Sequence, residues 1–269
     1  MPQPRNARRL LRVSAALILA AAAAGLAACQ NFGDVTGSIA ASGRAPTSEA
    51  QLRAYADAAQ KRYEGHPGEK TASIDYARAL RALTRYDEAV AVMQTAAIKA
   101  PKDEEVLGEY GKALADAGQL AQAKDVLTRA YLPDDPKWDV MSVQGAVADR
   151  MGDHAAAMRF YGDALKIAPG EPSVLTNMGL SLALNRQLPE AENILRQAVA
   201  SPMADARMRG DLALVLALER KYAEAEEVSR ADLSPDDAHA NVEAIKRMIA
   251  DSGPLQDLRK PAKTAKQAG

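Results

Sequence analysis

Along most of the chain, small and bulky apolar residues return to the same places every 34 positions. One small column reads Ala89, Ala123, Ala157, Ala191 and Ala225. A second, seven residues on, reads Ala96, Ala130, Ala164 and Ala198, with Asp232 in the last unit. A third, twelve residues before the first, reads Ala77, Gly111, Gly145, Gly179 and Ala213. Bulky residues fill the columns between. Leu80, Leu114, Leu182 and Leu216 align, with Ala148 in the third unit, and Met93, Leu127, Tyr161 and Leu195 align, with Ser229 in the last. Within each half-unit the apolar positions fall three and four apart, the spacing of a helix face. Pro101, Pro136, Pro169, Pro202 and Pro235 punctuate the units, and Gly118 and Gly152 mark turns inside two of them. The pattern predicts an all-α chain of five helix–turn–helix units at 70–103, 104–137, 138–171, 172–205 and 206–237. No such pair buries its apolar face alone, so neighbouring pairs must stack.

The flanks follow from the same register. Leu52, Ala59 and Pro67 continue it backwards, which makes 47–69 an N-terminal half repeat. Val242, Ile245 and Ile249 share one face of a capping helix over 238–251. Residues 252–269 carry Pro, Gly and a basic series, Arg259, Lys260, Lys263 and Lys266, and are expected to be disordered.

The first 28 residues do not belong to this pattern. A basic stretch with Arg5, Arg8, Arg9 and Arg12 precedes an apolar run over 13–24, the order found in a secretory signal peptide. The run ends in Leu26-Ala27-Ala28-Cys29, which resembles the bacterial lipobox. Cys29 is the single cysteine of the chain, so it makes no internal disulfide and no cysteine-rich metal site. The resemblance implies acylation of its thiol, a covalent lipid in place of any dissociable cofactor. In Gram-negative lipoproteins an Asp after the cysteine tends to mean inner-membrane retention, so Gln30 implies the periplasmic face of the outer membrane. An uncleaved membrane anchor and an ordinary cleaved signal are the competing readings. Residues 29–46, rich in Gly, Ser and Ala, read as a flexible tether.

Composition narrows the function. Hydrophobic residues make up 48% but aromatic residues only 4%, which suits close-packed alanine-rich helices better than an enzyme core. Of 34 basic residues four lie in the signal segment, leaving 30 against 35 acidic ones, or about −5 for the remainder. That balance offers no footprint for nucleic acid. His66, His154 and His239 fall in separate units without metal-ligand spacing, and His154 reads as a half-buried packing residue. Asp134-Asp135 and Asp236-Asp237 read as acids at helix starts. No phosphate loop or nucleophile elbow occurs, so neither an enzyme nor a small-molecule substrate is expected.

The 34-residue pattern is similar to the tetratricopeptide repeat, most closely at Gly145, Gly152, Ala157, Tyr161, Ala164 and Pro169. That resemblance implies a right-handed helical solenoid whose concave groove, lined by the first helix of each unit, binds protein partners. In register the groove positions are Arg78 and Ala82, Lys112 and Asp116, Ala146 and Arg150, then Leu180 and Leu184, and Leu214 and Leu218, with Asn177 and Arg207 nearby. The groove is thus expected to be charged in its first half and apolar in its second. The alternative is that these leucines pack against neighbouring helices.

The lipobox, the short tether with its TGSI segment, the five repeats and the stretch 211–248 together resemble the TadD-type lipoproteins of the Tad (tight adherence, Flp-type) pilus system. This implies a pilus-assembly scaffold with partners such as the secretin. A lipoprotein that scaffolds cell-wall enzymes or outer-membrane protein assembly remains the alternative.

Overall fold

The computed structural model describes residues 49–260, which are helical with no strand among them. The helices are α1 (Glu49–Gly65), α2 (Lys70–Ala82), α3 (Tyr86–Lys99), α4 (Glu104–Asp116), α5 (Leu120–Leu127), α6 (Trp138–Arg150), α7 (His154–Ile167), α8 (Pro172–Leu184), α9 (Leu188–Val199), α10 (Ala206–Leu218), α11 (Tyr222–Ser229), α12 (Pro235–Asp251) and α13 (Gly253–Leu258). They form two compact units, 49–177 and 178–260 among the described residues, with the boundary inside α8. The signal segment, the tether and Cys29 lie outside the described residues.

Each helix pair closes by the same turn. The residue after the first helix's C-cap has positive φ at Thr84, Gly118, Gly152, Arg186 and Arg220. These positions share the 34-residue register. Each turn carries the two backbone bonds of a Schellman motif. In the first, Arg85 N–H reaches Leu80 O at 2.8 Å and Thr84 N–H reaches Arg81 O at 2.9 Å. In the last, Lys221 N–H reaches Leu216 O at 2.8 Å and Arg220 N–H reaches Ala217 O at 3.0 Å. Helix starts are periodic too. Glu69, Asp103 and Asp205 accept backbone N–H groups as N-caps of α2, α4 and α10, and Glu171 accepts from Ser173 N–H at the start of α8. A carboxylate there satisfies orphan donors and meets the positive end of the helix dipole. The exception is Lys137, which precedes α6 without a side-chain cap. Asp134 and Asp135 precede that cap, and Asp135 closes a tight turn with Leu132. Asp236 and Asp237 do fall in the first turn of α12.

The small columns set how near the two helices of a pair come. A Cβ added at Gly111 would lie 2.4 Å from Leu127, at Gly145 2.4 Å from Tyr161, and at Gly179 2.7 Å from Leu195. Leu127, Tyr161 and Leu195 are all fully buried. Tyr161 is also held at its far end, where its hydroxyl donates to Asp149 at 3.0 Å. Burial and the neighbouring carboxylate push its phenol pKa up, so it stays a donor. Nδ1 of His154 lies 2.7 Å from the same carboxylate, and the ring is half-buried. In the fifth pair the departures from the pattern compensate each other. Ala213 takes the small place opposite Ser229, whose hydroxyl donates to Ala225 O at 2.9 Å, and Asp232 takes a two-pronged bond from Arg209 at 2.6 Å.

The C-terminal segment departs from the expectation of disorder over 252–269. Residues 253–258 form α13, capped by Ser252, with Leu255 and Leu258 buried. Arg259 then donates to the carbonyls of Leu218 and Ala217 at 3.1 and 3.0 Å and to the Tyr222 hydroxyl at 3.2 Å. Two apolar contacts and three hydrogen bonds offset the entropy of ordering so short a stretch. Residues 261–269 lie outside the described part.

Two substitutions test the turn and the close approach. Thr84→Gly removes a β-branched side chain from left-handed backbone and should stabilise by about 0.5–1 kcal/mol after the entropy cost of glycine. Gly145→Ala forces a methyl into the Tyr161 ring and should destabilise by about 1–3 kcal/mol. Urea midpoints that move in the opposite directions would refute both readings.

Candidate functional site

In the unit 49–177 the first helices α2, α4 and α6 lie side by side, sharing an apolar core and joined as well by ion pairs. Glu109, on α4, sits at the centre and is buried. It accepts from Arg78 at 3.0 Å, from Arg81 at 3.4 Å and from Lys112 at 3.0 Å. Arg81 also donates to Asp116 at 2.7 Å, and Lys112 to Asp139 at 2.8 Å. Three cations and three carboxylates thus run from α2 through α4 to α6. Burial alone would push the Glu109 pKa up, but the Lys112 and Arg81 charges and the Arg78 hydrogen bond outweigh it and hold the carboxyl at about 2. Burial also opposes the charge on Lys112, yet Glu109 and Asp139 raise its pKa overall.

These helices border a cleft of about 590 Å³. Arg78, Glu109, Lys112 and Asp139 line its floor, and Lys70, Lys102 and Glu105 stand at the helix starts around it. Lys70 bridges Asp103 and Glu105 at 3.0 and 2.9 Å. Arg150, at the end of α6, donates to the Ala115 carbonyl of α4. Asn177 donates to Ser142 at 3.1 Å.

The structure therefore brings Arg78 and Lys112 together, but through a carboxylate that the sequence reading missed. Arg81 and Asp139 were missed with it. A signal was present: acid and base recur about one repeat apart on first helices, off the strict register.

The remaining candidates lie in the unit 178–260. Leu180, Leu184 and Leu214 are half-buried. Leu218 is not a surface residue: it is 3% exposed, and α13 packs beside it on α10. Packing at this end of α10 thus removes it from the expected apolar groove. Arg207 pairs with Asp211 at 3.4 Å. Burial raises the Asp211 pKa to about 6, against the opposing pull of Arg207. Among the described residues no His, Cys, Asp or Glu group is arranged to hold a metal, and no helix is long and apolar enough to cross a membrane.

Models of the tetratricopeptide repeat match residues 80–139, 40–104 and 176–238. The chain is a tetratricopeptide-repeat protein. Solved structures resemble it at low identity. TTC0263, a thermophilic TPR protein of Thermus thermophilus, shares 22% identity over 64% of this chain and 97% of its own, with a TM-score of 0.53. A monomeric IFIT1 mutant with Gppp-AAAA shares 16% identity over 79% of this chain and 54% of its own, at a TM-score of 0.61. YrrB, a TPR protein with an unusual peptide-binding site, shares 18% over 71% of this chain and 99% of its own, at 0.46. No curated protein matches the chain. Tetratricopeptide repeats imply a protein–protein interaction scaffold, and proteins built from them are generally non-catalytic.

Glu109→Ala should strand Arg78, leave Arg81 and Lys112 with one carboxylate each, and destabilise the unit 49–177 by about 3–5 kcal/mol. Its folded pKa lies below the unfolded value, so the wild-type contribution is complete above about pH 5 and is lost as pH falls toward 2. Acid titration of helicity should show the wild type losing this margin and the variant lacking it throughout. Parallel acid transitions in the two proteins would remove Glu109 from that role.

Proposed function

We propose that this protein is a lipid-anchored scaffold of the tight-adherence pilus machinery, held at the periplasmic face of the outer membrane through Cys29. The observation that carries the reading is the conjunction of an export segment ending in Leu26-Ala27-Ala28-Cys29 with a body of tetratricopeptide repeats. The repeats supply a partner-binding surface and the motif supplies an address. One acyl chain binds a membrane only marginally, so several chains on Cys29 would be needed for durable attachment. The partner class, secretin or another pilus component, comes from the family resemblance over the repeats, the tether and 211–248. The half-buried Leu180 and Leu214 on the first helices α8 and α10 are the apolar contacts of choice for it.

Cys29→Ser should release the protein from membranes and abolish incorporation of labelled palmitate. Membrane association that persists without label would replace the lipid anchor by a spanning segment. Crosslinking in cells should recover pilus components, and Leu180→Glu with Leu214→Glu should lower that recovery while helicity is kept. Recovery of cell-wall amidases with no pilus component would overturn the assignment.

A further inference from the structure

We infer that the first-helix face of the unit 178–260 is switched by a proton: Asp211 is ionised and paired with Arg207 in neutral solution and takes up a proton in mildly acidic solution, which uncouples Arg207 and leaves the leucine face of α10 with a neutral carboxyl. Its effect on binding rests on the reading of Leu180 and Leu214 as partner contacts.

The register shows how this carboxyl differs from Glu109, which stands three repeats earlier in the same column. Glu109 is met by Arg78, Arg81 and Lys112. The places three repeats on from those cations hold Leu180, Ala183 and Leu214. Each position that supplies a charge to Glu109 is aliphatic here. Asp211 is nevertheless withdrawn from water, with its side chain 16% exposed. Among the described residues it has one ion pair, to Arg207 one turn earlier on α10, and at 3.4 Å that contact is long. The pair is loose at the other end too, because Nε of Arg207 is buried with no hydrogen-bond partner.

The surroundings offer no replacement cation. α8 carries no charged residue. The elements packed on α10 are α9, α11, α12 and α13. Arg196 of α9 is held by Glu192 and by Glu224 of α11. On α12, His239 is held by Glu226, Lys246 by Glu243, and Arg247 is exposed. Asp257 of α13 pairs with Lys260. Burial lifts the Asp211 carboxyl to about 6, with Arg207 opposing and Asp205 adding to the rise. The folded chain thus holds this proton more tightly than the unfolded chain, and stability falls as pH rises from about 4 to about 6. A partner covering the face withdraws Asp211 further from water. That costs less for a neutral carboxyl than for an ionised one, so binding strengthens as pH falls.

Carbon-13 carboxyl resonances of the full chain read the proton directly, with Asp211→Asn to assign the signal. The Asp211 midpoint should lie at about pH 6, and a midpoint near the ordinary 3.8 would overturn the inference. In urea, the wild-type folding equilibrium should gain about tenfold on that of Asp211→Asn between about pH 7.5 and pH 5. Parallel pH dependence in the two proteins would overturn it as well. Crosslinking in cells held at about pH 5.5 and 7.5 should recover more partner at the lower pH from wild type and equal amounts from Asp211→Asn. A pH effect that the variant retains would place the switch elsewhere and overturn the inference. The carboxyl titration needs no partner, so a midpoint of about 6 with no partner recovered would overturn the partner reading of the leucines and uphold the proton uptake.

Discussion

A helix pair in this protein is as close as a missing side chain allows. Gly111, Gly145 and Gly179 face Leu127, Tyr161 and Leu195, and each glycine leaves the space that its bulky partner fills. Everything else in the repeat follows from that distance. Two helices so near need a turn that reverses the chain in a few residues, which the left-handed residue and its paired backbone bonds provide. The next unit must then start cleanly, and an acidic cap does this at four of the five positions. Where the bulky partner shrinks, the small one grows: Ala213 stands opposite Ser229.

The contact between successive first helices also has an electrostatic part. In the unit 49–177 these helices share an apolar core that includes Ile74, Val106 and Val140. Long charged side chains whose ends pair add a second tie between them. A buried network of this kind stabilises little on its own account, but it is exacting, because losing one member leaves others unpaired. It fixes the order of α2, α4 and α6 and decides which charges reach the cleft surface.

The repeat was legible in the sequence because small residues have one reason to recur at fixed spacing, and backbone proximity is that reason. The helix caps were hidden in plain sight. Glu69, Asp103, Glu171 and Asp205 share the register, yet acids are common enough to pass as surface charge. Thr84, Arg186 and Arg220 concealed three turns because none is glycine. The groove was read least well. Arg78 and Lys112 looked available because their partners lie outside the strict period, and a side chain's direction is set by packing that no periodicity reports. Leu218 looked exposed because the residues that settle at that end of α10 belong to a tail whose composition suggested disorder.

Arg150 and Arg259 come from different kinds of structure, a full repeat helix and a short terminal turn, yet they serve the same atom. Ala115 and Ala217 hold equivalent places three repeats apart, and an arginine guanidinium from the following segment bonds each carbonyl. The segment 253–260 thus reproduces with a single side chain the contact that Arg150 makes on α4, without a helix pair behind it. In the unit 178–260 a short helical turn satisfies a carbonyl whose counterpart, at Ala115, is met by a full repeat helix.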